Sequence, residues 1–259
     1  MRDILGERDG VVPDTPTRVA EPSRESQLPK RFYKSVATQA SDSGFVVELD
    51  GKTVNTPGKK PLSVSTEPLA EVLVEEWSNQ KERIDPMTMP MTRLVNTAID
   101  GVATDMQAVK EDIIRYSGTD LLCYRVEAPE GLVERQLKHW DPMMDWAQMT
   151  LGARFDLAGG IMHVEQPAEA IAAFSTHVGT IDDPLALAAT HVATTLTGSA
   201  ILAMAVVKGH LDAEKAWQLA HLDESWNEEQ WGVDEEAAAR RATRFIEMRT
   251  ACFVLAELG

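Results

Sequence analysis

At Thr66 the hydrophobic period of this chain changes from two to about 3.6. Before it, Phe32, Val36, Phe45, Val47, Leu49, Val54, Leu62 and Val64 come in short alternating runs. Asp42-Ser43-Gly44, Asp50-Gly51 and Pro57-Gly58 separate the runs. Asp-Gly between apolar strands predicts a two-residue hairpin, because a type I′ turn needs positive φ at both central residues. After Thr66, apolar residues recur at helical spacing almost to the end. A block of strands followed by a block of helices predicts an α+β protein rather than alternating βαβ units.

Thr66 is placed to cap the first helix, with Pro68 in its first turn and Leu69, Val72, Leu73 and Trp77 as its apolar stripe. Asp85-Pro86 and Met89-Pro90 interrupt it, since proline disfavours a helical residue before it. The pattern resumes over 92–117, in two pieces around Asp100-Gly101, and the run DLLCYRV at 120–126 reads as a return to strand. From 130 onward nearly everything is helix. Asp141-Pro142 and Asp183-Pro184 read as starts, Gly209 as a stop, Asp212 as a cap and Gly232 as an end. Asp234-Glu235-Glu236 opens the last helix, whose stripe is Phe245, Met248, Cys252 and Leu255. Gly198-Ser199-Ala200 is read as lying mid-helix, its small residues allowing close packing. The expected organisation is an extended or poorly ordered arm over 1–30, a small sheet-plus-helix domain over 31–129 and an all-α bundle over 130–259.

Charge narrows the partners. The formal charge of −16 disfavours nucleic acid or an anionic membrane as the main partner. No apolar run approaches the roughly 20 residues a membrane-spanning helix needs, and the acidic N-terminal stretch lacks an apolar targeting core. A cytoplasmic protein is expected. Cys123 and Cys252 each sit in an apolar run without a CxxC partner, so two buried free thiols in a reducing compartment are expected.

Catalytic signatures are scarce. His139, His163, His177, His191, His210 and His221 form no HxH or HExxH pair. No phosphate-binding glycine loop and no GxSxG elbow occurs. No metal and no cofactor are expected. The densest chemistry is LDESWNEEQWGVDEEA, 222–237, where two tryptophans stand among seven carboxylates. Treating 213–231 as one helix puts Ala213, Trp217, Ala220, Glu224 and Trp231 within roughly 40° of one line. Leu219, Leu222 and Trp226 fall on the opposite side. A helix apolar on both sides is expected to lie between neighbours. Glu224 would then be either buried against Arg240, Arg241 or Arg244, or offered to a partner beside Trp231, unlike the solvated Glu228, Glu229 and Glu235. Two functional classes follow. One is a non-catalytic binding protein; the other is a hydrolase of unknown substrate using Glu224 with a second acid such as Asp223. Met87, Met89 and Met91 suit either adaptable client contacts or the core.

Six segments appear in order: DGKTVNTPGKKPLSV (50–64), EEWSNQKERIDPMTMPMTRLVNTAID (75–100), Tyr116 with DLLCYR (120–125), HWDPMMDWA (139–147), LTGSAILAMA (196–205) and LDESWNEEQWG (222–232). Together, over about 31–259, the chain resembles the assembly chaperone family of the F-type ATP synthase that binds the free alpha subunit of the catalytic head. The resemblance implies a small sheet-plus-helix domain before a helical bundle, no catalysis and no cofactor. It implies that the chaperone, a monomer when free, shields the alpha subunit until the beta subunit replaces it. It points to alphaproteobacteria, or to the mitochondrial matrix for organellar relatives. Carried over by position, it marks Asp223, Glu224, Trp226, Trp231 and Gly232 as partner-binding. Asn227 stands where the family pattern has glutamine.

Overall fold

The computed structural model describes residues 28–41, 44–160 and 164–259. The expected arm lies outside these except for residues 28–30, as do the turn residues 42 and 43. The fold is α+β. Strands β1 (Val36–Ser41), β2 (Gly44–Leu49), β3 (Lys52–Thr53) and β4 (Ser63–Val64) form one antiparallel sheet in which β2 pairs with the other three. Asp50 and Gly51 have φ of 50° and 75°, the double positive turn their sequence demands, and they set the register Leu49↔Lys52. The Asp50 carboxylate accepts from the N–H groups of Lys34 and Ser35, which holds it below the usual carboxylate range.

Helix α1 (Glu67–Ser78) lies on the sheet and buries Leu69, Ala70 and Leu73. Helices α2 (Pro90–Asp100) and α3 (Met106–Ser117) follow, separated by a 3-10 turn at Val102–Thr104. The half-buried Glu76 of α1 accepts from the N–H groups of Met91 and Thr92 and so caps the positive end of α2. Met89 and Met91 are core residues, whereas Met87 is exposed. The run at 120–126 is mostly not strand. Leu121–Cys123 is a 3-10 turn, capped by the Asp120 carboxylate, before a two-residue strand β5 (Tyr124–Arg125). That strand runs parallel to β6 (Ala158–Gly159).

Next come α4 (Glu130–Leu151), α5 (Ala168–Gly179), α6 (Pro184–Thr197), α7 (Ala200–Val207), α8 (Ala213–Ala220), α9 (Leu222–Trp231) and α10 (Glu235–Leu258). Two sequence expectations fail here. Asp141-Pro142 starts no helix: Pro142 lies inside α4. An interior proline costs about 3 kcal/mol. Trp140, Met143, Trp146 and Ala147, all buried around it, more than offset that at ~2 kcal/mol per large side chain. Asp141 instead accepts from the Arg125 guanidinium at 2.8 Å. Nor does Gly198-Ser199-Ala200 lie mid-helix. Gly198 takes φ 66° and ends α6, and the Ser199 hydroxyl accepts from Leu202 N–H to start α7.

Helix α7 is apolar all round, and Ala200 through Val206 are buried. It packs against α6, which also meets α2, α3 and α10, so the hydrophobic core continues across residue 129. Asp183 caps α6, Gly209 closes the turn after α7 at φ 65°, and Asp212 caps α8, as their residue types predict. Met248, Cys252 and Leu255 of α10 are buried, and both cysteines are free thiols. Among the described residues no helix is long and apolar enough to cross a membrane.

Candidate functional site

The acid-and-tryptophan segment is not one helix with the segment before it. His221, at φ −111° and ψ 30°, separates α8 from α9. The backbone turns there without glycine or proline, so a 100° count carried across it loses phase. Glu224 is therefore exposed rather than sandwiched. Arg241 pairs with Glu228, its Nη2 2.6 and 2.7 Å from the two carboxylate oxygens, and Arg240 pairs with Glu236. The acids expected to be solvated thus include the one that docks α9 on α10. Glu229 is also engaged, in a two-pronged bond to Arg135 of α4 at 2.6 and 2.8 Å. That guanidinium holds the Glu229 carboxyl below its ordinary range. Glu235 is exposed, as expected.

Helix α9 is seated on α4 by three more contacts. Leu222 is buried. The Asp223 carboxylate accepts from Gln136 Nε2 at 2.9 and 3.1 Å, and the buried Gln136 accepts from Val126 N–H through its Oε1. Trp226 lies in a slot that exists because residue 131 is glycine. A Cβ there would stand 2.5 Å from the ring carbon Cη2. The Arg135 guanidinium covers the same ring, 5.0 Å from its centroid. Upstream, Trp140 Nε1 donates to the Leu219 carbonyl at 2.9 Å, tying α4 to α8. His221 packs on Trp217, and burial pushes its imidazole below the usual range, partly opposed by its bond to the Trp217 carbonyl and by Glu224.

Of the five residues singled out, Asp223 and Trp226 therefore face α4, Glu224 and Trp231 face outward, and Gly232 makes the turn between them and α10 with φ 91°. Trp231 is 87% exposed and Val233 62%. Trp231 and Val233, two residues apart in sequence, put apolar surface in solvent at the end of α9.

A cleft of about 650 Å³ lies between α4, α8 and α9. Trp226, Leu219 and Leu222 supply its apolar wall; Arg135, Lys138, His139 and Lys215 supply cationic and titratable groups. Sequence reading missed it, because its residues come from helices some 80 positions apart. Neither Asp223 nor Glu224 lines it, so the carboxylate pair weighed for hydrolysis does not share a pocket there. Among the described residues no cluster of His, Cys, Asp and Glu is grouped to hold a metal.

Comparison with known proteins gives a consistent set. The profile of the ATP12 chaperone protein family matches residues 30–148. The crystal structure of the Atu1473 protein from Agrobacterium tumefaciens superposes with a TM-score of 0.85 at 54% identity, covering 93% of this chain and 92% of that one. The crystal structure of Atp12 from Paracoccus denitrificans superposes with a TM-score of 0.81 at 41% identity, covering 88% and 97%. The mitochondrial protein atp12 of Schizosaccharomyces pombe is 28% identical over 220 residues, 80% of this chain and 75% of that protein.

Proposed function

The chain belongs to the ATP12 chaperone family, and from that premise we propose that it assists assembly of the F-type ATP synthase by binding the free alpha subunit of the catalytic head. It covers an interface on the orphan subunit until the beta subunit takes its place. It acts as a monomer, in the bacterial cytoplasm, and without catalysis. A subunit held back from oligomerising exposes apolar surface that otherwise aggregates. A protein that covers such surface needs apolar anchors within a polar rim.

The observation that carries the reading is the corner at the end of α9. Trp231 and Val233 are bare, Glu224 is exposed on the same short helix, and the helix itself is fixed to α4 and α10. A rigid mount under an exposed tryptophan is what a binding anchor requires. In this reading Trp231, Gly232 and Glu224 meet the client, while Asp223 and Trp226 hold the helix that presents them.

A pull-down with purified alpha and beta subunits tests it. The wild type retains alpha, and Glu224→Gln and Trp231→Ala retain it less while unfolding at the wild-type temperature. Equal retention of alpha and beta, or of neither, would remove the proposal.

A further inference from the structure

The cleft between α4, α8 and α9 carries a charge pattern at odds with the rest of the chain. Acids outnumber bases 41 to 25 overall. Yet Lys138 and Lys215, both exposed on the cleft, form no ion pair with a described residue. Two carboxylates line the same space. Glu229 is committed to Arg135 through both oxygens, and Glu134 is the other. With His139 neutral the lining sums to +1, from Arg135, Lys138 and Lys215 against Glu134 and Glu229. On a molecule of formal charge −16, a lining with a positive balance runs against the overall sign.

The second observation is the imidazole between them. Burial first, and then the positive fields of Lys215, Lys138 and Arg135, push His139 below its ordinary range. The groups around it are Glu134, Arg135 and Lys138 on its own helix, Lys215 on α8 and Glu229 on α9. The third is the wall. Trp226 lines it beside Leu219 and Leu222, and Gln218 and Ser225 add hydrogen-bonding side chains. A small inorganic anion has no use for the apolar wall. Nucleic acid is opposed at long range by the net charge. An extended segment alternating acidic and apolar side chains uses both features.

We propose that this cleft docks an acidic, extended peptide segment of the client protein, with Lys138 and Lys215 gripping its carboxylates and Trp226 packing its apolar side chain. The proposal rests on the chaperone reading and names the chemistry of what the client inserts. Such contacts govern encounter rate and partner choice, and salt weakens them over a screening length of ~8 Å at physiological ionic strength.

The test uses the full chain and three fluorescein-labelled octapeptides read by anisotropy: one alternating Glu and Leu, one alternating Gln and Leu, one alternating Lys and Leu. A DNA oligonucleotide of matching charge serves as a fourth probe. The Glu/Leu peptide binds, and more weakly as salt rises; the other three bind at least about tenfold more weakly. Lys138→Glu/Lys215→Glu lowers Glu/Leu binding by about tenfold or more, whereas the distant double reversal Lys52→Glu/Lys208→Glu leaves it within about twofold. The His139 imidazole, followed by NMR, titrates at higher pH once the peptide is bound. Binding of the Gln/Leu peptide or the oligonucleotide as tight as that of the Glu/Leu peptide overturns the proposal. An unchanged affinity in Lys138→Glu/Lys215→Glu does the same. Capture of the alpha subunit by the wild type is measured beside these, so loss of the cleft proposal and loss of the chaperone reading register separately.

Discussion

Asp120 gives the most quantitative test of how the two halves of the chain are joined. Its side chain is fully buried at the start of α7, where Oδ1 accepts from Leu122 N–H at 3.0 Å and Oδ2 from Ile201 N–H at 2.9 Å. Desolvation pushes the carboxyl up to about 6, against the opposing bonds from Ile201, Ser199, Leu122 and Ala200. The folded value lies above the unfolded value of 3.8, so between the two the folded chain holds the extra proton. Stability contributed by this group is therefore greatest in acid and falls as pH rises through about 6. Integrating from pH 5 to pH 7 gives a wild-type loss of about 1 kcal/mol that Asp120→Asn, which has no proton to release, does not share. Asp120→Ala strands buried N–H donors at roughly 1–3 kcal/mol each and loses about 3 kcal/mol or more at pH 7. Urea unfolding of the three proteins at both pH values measures this. If wild type and Asp120→Asn change equally between pH 5 and pH 7, the burial argument for Asp120 is wrong.

Gly131→Ala forces Trp226 out of its slot and destabilises by about 1–2 kcal/mol despite the better helix former; an unchanged melting temperature and tryptophan emission would show that the ring does not depend on residue 131. Trp231→Ala changes stability by no more than about 0.5 kcal/mol because the ring is almost wholly exposed; calorimetry that finds a larger loss would mean that the ring packs in solution. Both thiols are buried and shifted away from thiolate, Cys252 to about 12, so a thiol reagent labels neither Cys123 nor Cys252 until the chain unfolds. Rapid labelling at pH 7.5 in the absence of denaturant would contradict that burial.

What could be read in advance is what is local. Asp50-Gly51 dictates its turn because both residues must take positive φ, and Asp183-Pro184 dictates a helix start by its own side chain and ring. Gly209 and Gly232 stop helices for the same reason. The misread positions are those where tertiary contacts outweigh local preference. Pro142 survives inside α4 because buried tryptophans flank it. Gly198 ends α6 instead of letting it run on into the apolar α7, because the two helices turn against each other over Asp120. The break at His221 has no glycine or proline to announce it. It exchanged the expected roles of the acids, leaving Glu224 bare and engaging Glu228 and Glu229. The Gly131 slot and the cleft beside it depend on pairing α4 with α9, which spacing along the chain does not specify. The resemblance in the long ordered segments reached the family where periodicity alone reached only a fold class.

In the proposed function this molecule covers a sticky surface on an orphan subunit. Light scattering from denatured alpha subunit diluted into buffer, with increasing amounts of this protein and no nucleotide, tests it most directly. Aggregation is expected to fall in proportion to added protein and to be abolished near equimolar. Undiminished scattering at excess, or suppression at small substoichiometric amounts as a turnover process would give, contradicts it.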